Sequence, residues 1–254
     1  MINKLNELKY AEEMIEKGFL SGEYLREITI LGKYYRYIKY KYKDVEIALV
    51  KFCDTNLINF NEVKYAEFIK KAINGVRKYK LLIIDKIGVT QGEMDVIEGL
   101  PEDNLKKFAL MCLVLGKIQY IKNESNYVNT PRSRLMRLAN VYSSKKNNRH
   151  DIVRKLTDLE LIRFCDNQAI EVKFMDHEGD SVFYVYDFDN IGNYYMMWSG
   201  KGKFIECEEC RRLVKRTANA KKYCEKCSKE INIKKTINNR NKENLFENEN
   251  SEND

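Results

Sequence analysis

The sequence predicts a mainly α, α+β protein with three parts: an N-terminal helical region, a central winged helix-turn-helix and a C-terminal four-cysteine zinc ribbon or treble-clef finger. Three observations predict it. Two CxxC pairs stand near the C-terminus, and only two prolines occur in 254 residues, which favours long helices. In the middle, three helical patterns precede two strand-like runs. The expected organisation is a helical domain over 1–99, a winged-helix-like domain over 100–198 and a zinc module with a basic helix over 199–240. An acidic, disordered tail over 241–254 follows.

The N-terminal hundred residues read as helices. Asn3 to Lys17 is amphipathic and closed by Gly18, and Ser21 is an N-cap candidate before Tyr24 to Ile38. Val45 to Cys53 and Val63 to Tyr79 give two more, and Leu81 to Ile84 reads as a short apolar strand. Thr90-Gln-Gly-Glu93 has capping-box spacing and opens a helix to Glu98. The stretch Lys33 to Lys43 interleaves five Tyr with five bases. Such a stretch can stack nucleobases while its cations hold phosphates. The preferred reading is that the rings pack inward and the lysines stay solvated.

The central region starts at Leu100-Pro101, where Pro suits a first helical position. Leu105, Phe108, Met111, Leu115 and Ile118 give this helix wide apolar coverage. A polar loop, Lys122 to Asn129, precedes a second helix signalled by Thr130-Pro131 and carrying Leu135, Met136, Leu138, Ala139 and Val141. After the basic link Ser143 to Asn148, a third helix runs to Leu161 with Ile152, Val153, Leu156, Leu159 and Leu161 inward. Ile170, Val172 and Phe174 alternate with polar residues as a strand, Asp176 to Asp180 turns, and Ser181 to Phe188 returns. Three helices and a hairpin in that order are a winged helix-turn-helix, whose third helix can enter a major groove. Lys145, Lys146, Asn147, Asn148, Arg149, Arg154 and Lys155 are then the groove-facing candidates, since Asn and Arg read base edges and Lys meets phosphates. The same domain serves protein contact equally well, since fold does not fix function.

Seven cysteines fall into two populations. Cys53, Cys112 and Cys165 are isolated and expected to be inert. Cys207-Glu-Glu-Cys210 and Cys224-Glu-Lys-Cys227 form two knuckles at zinc spacing. Four thiolates close a tetrahedral shell, so the Zn2+ would be structural. Two disulfides or a redox centre are the alternatives; disulfides suit a cytosolic chain poorly. Phe204-Ile205 and Leu213-Val214 predict a short hairpin around the first knuckle, and Ser228 to Arg240 a helix. If the last ligands sit at the start of that helix, the module is a treble clef; if the tail stays extended, it is a ribbon.

Charge points to a polyanion. The net charge is +7, and residues 203–242 hold 13 Lys/Arg against 5 Glu. Arg211, Arg212, Lys215, Arg216, Lys221 and Lys222 in this cluster are candidate phosphate contacts. The last twelve residues carry 5 acids and no base, and such a tail can mask the basic segment.

Other classes find no support in the sequence. No phosphate loop, dinucleotide fingerprint, HExxH or GxSxG occurs, and neither His150 nor His177 sits in a catalytic pattern, so an enzyme is not expected and no small-molecule substrate is evident. No run reaches the roughly 18 apolar residues of a membrane span. The charged N-terminus lacks the apolar core of a secretory leader, so a cytoplasmic protein is expected.

The segments Tyr24 to Ile38 and Leu156 to Ile162, with the CxxC…YCxxC tail, resemble uncharacterised proteins of Firmicutes phages and other mobile elements, over nearly the whole chain to about Arg240. The resemblance implies a cytoplasmic bacterial or phage protein with a zinc module, and implies no activity. The expectation is therefore a zinc-containing protein that binds double-stranded DNA in transcriptional regulation or replication. An adaptor docking on a host polymerase or defence complex is the alternative, and RNA binding through the Tyr-rich stretch is the third.

Overall fold

The computed structural model describes residues 5–141, 146–165, 169–217 and 221–237, with the backbone alone for 146–150. Lys145 and the acidic tail 241–254 lie outside the described residues. The chain divides into two units, Met1–Asp85 and Lys86–Asp254. The helix Thr90 to Glu98, expected with the N-terminal hundred, belongs to the second.

The first unit holds α1 (Glu7–Lys17), α2 (Tyr24–Tyr37), α3 (Tyr42–Asn56) and α4 (Glu62–Lys78). Asn6 and Asn61 cap α1 and α4, their side-chain oxygens accepting from Lys9 N and Lys64 N at 3.0 Å. Ser21 does not cap α2; Glu23 holds that position without a side-chain bond. The Ser21 amide instead donates to buried Glu27 at 2.9 Å, which also accepts from Leu20 N and Tyr10 OH. Met14, Ile28, Leu31, Leu49 and Ile69 form the core. Gly32 lets α2 and α4 approach, because a Cβ there would sit 2.6 Å from Val76. Leu81 to Ile84 is not a strand in a sheet; Ile83 makes a single bridge to Asn6. A buried ion pair stands nearby, with Lys33 Nζ 2.7 Å from Glu7 Oε1. Glu7 Oε2 accepts from Leu82 N at 2.8 Å.

In the second unit, α6 (Asp103–Asn123) is the axis. Its residues Leu105 to Val114 are buried nearly all round, apart from Lys106 and Lys107, as its apolar composition requires. Around it lie α5 (Gln91–Glu98), α7 (Arg132–Leu138), α8 (Lys146–Asp158) and α9 (Ile191–Trp198). Thr90 and Glu93 complete the capping box of α5: Glu93 N donates to Thr90 Oγ1 at 3.3 Å and Thr90 N to Glu93 Oε2 at 2.9 Å. Helix α6 begins two residues later than Pro101, and Pro131 is the N-cap of α7. Helix α7 ends at Leu138, since Asn140 turns left-handed at φ 50°. Helix α8 ends at Asp158, leaving Leu159 50% exposed where an inward position was expected.

The strands correct one expectation. Strands β2 (Tyr127–Val128), β3 (Ile162–Phe164) and β4 (Ile170–Val172) make an antiparallel sheet in the order β2-β4-β3. The segment at 181–188 does not pair with 170–174. Its strand part, β5 (Ser181–Val185), pairs with β1 (Ile87–Thr90). The reason is that β4 is the central strand with both edges occupied. The turn itself forms: Asp176 Oδ1 accepts from Glu178 N and Gly179 N at 3.0 Å. It carries the chain from one sheet to another. Helix α9 was not foreseen. Its start lies against the end of α7, where a Cβ on Gly192 would come within 1.8 Å of Ala139 O.

Candidate metal centre and basic helical surface

Strands β6 (Phe204–Glu206) and β7 (Leu213–Lys215) form the short hairpin that the sequence predicts around the first knuckle. Arg211, left-handed at φ 57°, donates its amide to Cys207 O at 2.9 Å, and Cys207 N donates to Arg212 O at 2.9 Å. That tight turn brings the two cysteines of the knuckle together, Cys207 buried and Cys210 exposed. The second knuckle runs into helix α10 (residues 225–237), which starts after Cys224 and carries Cys227 in its first turn. Glu208 N to Lys222 O, at 3.1 Å, ties the two knuckles together.

The four sulfurs of Cys207, Cys210, Cys224 and Cys227 all lie within 4.8 Å of one another. A tetrahedral ion with metal–sulfur bonds of about 2.3 Å separates its ligands by about 3.8 Å. Cys210 Sγ and Cys224 Sγ are 3.8 Å apart. The cluster can hold a metal ion, and none of the four is in a disulfide. Backbone amides face the sulfurs: Cys224 N is 3.3 Å from Cys207 Sγ, and Cys227 N is 3.4 Å from Cys224 Sγ. Burial pushes the Cys207 thiol up, but the amides of Cys210, Cys224 and Glu209 outweigh it and bring it down to about 7. Burial and then the neighbouring sulfurs raise Cys227. The amides thus favour the charged form at Cys207, while burial and the neighbouring sulfurs favour the neutral thiol at Cys227.

Three cations around the cluster pair with acids. Arg211 lies 3.7 Å from Glu206, Lys222 3.4 Å from Glu208 and Lys226 3.4 Å from Glu230. Lys221 donates to Lys215 O at 3.1 Å. Lys215 and Arg216 are exposed and Arg212 is half-buried. The three ion pairs are surface pairs of small energy.

Of the remaining cysteines, burial pushes Cys53 up to about 11 and also raises Cys112, as expected for inert core thiols.

A second charged feature lies on α7 and α8. Residues 132–155 hold eight Lys/Arg and a single acid, Asp151. The sequence points to the α8 half; Arg132, Arg134 and Arg137 of α7 do not stand out in it, because uncharged residues separate them and the densest run of cations lies near the C-terminus. Leu135, Met136 and Leu138 anchor α7 inward, which leaves Arg134 and Arg137 exposed. On α8, Ile152, Val153 and Leu156 are buried and Arg154 is exposed, 3.4 Å from Asp151. Lys155 pairs with Glu102. Lys146, Asn147, Asn148 and Arg149 form the first turns of α8. Arg132 lies over the Phe164 ring at 5.2 Å and so links α7 to β3. Between β3 and β4, Arg163 pairs with Glu171 at 2.6 Å.

Among the described residues, no helix is long and apolar enough to cross a membrane. No protein-family model, curated protein or solved structure matches the chain.

Proposed function

We propose that the chain is a duplex-DNA-binding protein in which α7 and α8 meet the DNA and a structural zinc ion holds the C-terminal module. The observation that carries this reading is the order α6, β2, α7, α8, β3, β4 with sheet order β2-β4-β3, joined to the concentration of charge on α7 and α8. Helix, strand, two helices and a hairpin in that arrangement are the elements of a winged helix-turn-helix. In that arrangement α8 is the recognition helix, and the β3–β4 hairpin is the wing. Exposed Arg134, Arg137 and Arg154 serve phosphates, and the first turns of α8, with Asn147, Asn148 and Arg149, serve base edges. Zinc fits the four-sulfur set, since soft thiolates in a closed tetrahedron leave no site for water. Knuckle, hairpin and a helix supplying the last ligand make the module a treble clef. The role is transcriptional control or replication, and its setting in a mobile element follows from the resemblance alone.

The test is titration of the full chain with random-sequence duplex at several salt concentrations. Log affinity should fall linearly with log salt, and removing Arg134 and Arg137 together should reduce the slope by about 2. Duplex affinity that is absent, or indifferent to Arg134→Ala, Arg137→Ala and Arg154→Ala, overturns the assignment. A protein-interaction adaptor is the second reading, favoured by Ile233 and Ile237, which are 59% and 51% exposed on α10. It predicts no DNA affinity and co-purification of a partner that Ile233→Asp releases.

A further inference from the structure

The N-terminal unit presents a second surface of distinct chemistry. Tyr34 and Tyr35 pack against the core, as the sequence reading preferred for all five rings. Tyr37, Tyr40 and Tyr42 do not; they are 53%, 42% and 39% exposed. The end of α2, the start of α3 and the end of α4 converge there. The Arg36 guanidinium lies 4.3 Å from the Tyr42 ring centre and that of Arg77 5.4 Å from it. Tyr79, the C-cap of α4, is 56% exposed with Lys78 5.2 Å from its ring. Tyr40 stacks on Tyr35 at 5.2 Å, so its ring is held in place on one side.

Segments 33–43 and 77–80 carry eight Lys/Arg and no acid. Lys33 is occupied by Glu7; Arg77, Lys39, Lys41, Lys43, Lys78 and Lys80 are exposed. The neighbouring acid, Asp44, accepts from the Lys41 amide at 3.3 Å and belongs to the cap of α3.

We propose that this junction of α2, α3 and α4 is a stacking platform for single-stranded nucleic acid. The chemistry selects the partner. Aromatic faces set among cations stack bases and bind the intervening phosphates, and only unpaired bases expose their faces. A lipid surface suits the patch less well, because its exposed rings are all tyrosines and Ile38 is the aliphatic residue among them. The Arg36 and Arg77 contacts hold Tyr42 as part of the platform. The proposal is independent of the duplex site, which belongs to the other unit.

The test uses the full chain and labelled oligo(dT) and oligo(rU), read by fluorescence anisotropy. It is run in parallel in an Arg134→Ala/Arg137→Ala/Arg154→Ala background, which removes the three exposed arginines assigned to duplex phosphates. Both oligonucleotides should bind in both backgrounds, and the ratio of their affinities tells DNA from RNA. Tyr37→Ala and Tyr79→Ala should each weaken binding about tenfold, while Tyr37→Phe and Tyr79→Phe keep it and duplex affinity stays unchanged. Three results overturn the platform. One is oligonucleotide affinity indifferent to the Tyr→Ala changes; another is an equal loss in the Phe variants. The third is binding to phosphatidylserine vesicles with none to either oligonucleotide. If duplex binding alone fails, the α7–α8 assignment falls and the platform stands.

Discussion

Glu93 and Lys117 form a buried ion pair, Oε2 to Nζ 2.7 Å, with side chains 1% and 12% exposed. Glu93 Oε2 also accepts from Thr90 N, its Oε1 accepts from Asp176 N at 2.8 Å, and Lys117 donates to Gly88 O at 2.9 Å. One carboxylate thus joins β1, the cap of α5, the axis α6 and the loop after β4. Removing one member of a buried pair strands the other charge. Glu93→Ala is expected to destabilise by about 3–5 kcal/mol. The double change Glu93→Leu/Lys117→Met should recover part of that loss but not all, because the amides of Thr90 and Asp176 still lack an acceptor. Urea denaturation of the single and double variants measures both.

Metal removal should act locally. The small sulfur-linked core of Cys207, Cys224 and Cys227, with Val214 and Tyr223 against it, is too little to hold the module. Elemental analysis should find one zinc per chain, and Cys207→Ser should lose it. Chelation should release protection from hydrogen exchange over 204–237 while leaving the core of Met1–Asp85 protected.

Two glycines give opposite expectations. At Gly192 a Cβ meets the Ala139 carbonyl at 1.8 Å, so Gly192→Ala must push α9 from α7. A loss of at least about 1–3 kcal/mol follows from such overpacking. Gly92 sits in α5 with nothing within 4 Å of its would-be Cβ. Gly92→Ala should therefore stabilise by about 0.4–1 kcal/mol. Thermal melts of the two variants should move in opposite directions.

Acid should weaken each unit through a named carboxylate. Burial raises Asp85, but bonds from Lys9 Nζ at 3.0 Å and Asn6 Nδ2 at 2.7 Å outweigh it and hold it below the usual carboxylate value. The amides of Glu178 and Gly179 do the same for Asp176. A folded value below the unfolded one, about 3.9, means stabilisation that is complete above that pH and lost as pH falls through the folded value. Asp85→Asn should flatten the acid limb of the stability curve for the first unit. A limb of unchanged steepness in the variant argues against the assignment.

The metal cluster was legible because its information is local: two residues between cysteines set each knuckle, and a turn, a hairpin and a helix start suffice to join them. The four N-terminal helices were legible from their 3.6-residue pattern. The partner of β5 was not. Asp176 to Asp180 marks a turn correctly, but a turn signal says nothing of which edge the next strand meets, and here the edges of β4 were already taken by segments on either side of α7 and α8. Strand β2 has two residues, too few for an alternation to appear. Helix α9, Ile-Gly-Asn-Tyr-Tyr-Met-Met-Trp, is eight residues long with Asn193 as its one amide side chain and no charge, so no polar face betrays its period. The α7 arginines were hidden by averaging charge over long windows. The tyrosines split between core and surface because Tyr37 stands on the outer side of α2, and the helix ends there, leaving Tyr40 and Tyr42 beyond it; the continuous Tyr/Lys alternation marks neither.

Because β4 is bonded on one side to the strand before α7 and on the other to the strand after α8, the two basic helices hang from a single central strand. The backbone that carries Arg134, Arg137 and Arg154 is thereby fixed by strand pairing. In the duplex-binding role proposed above, association would order side chains without folding a segment, which removes one of the entropic costs of binding.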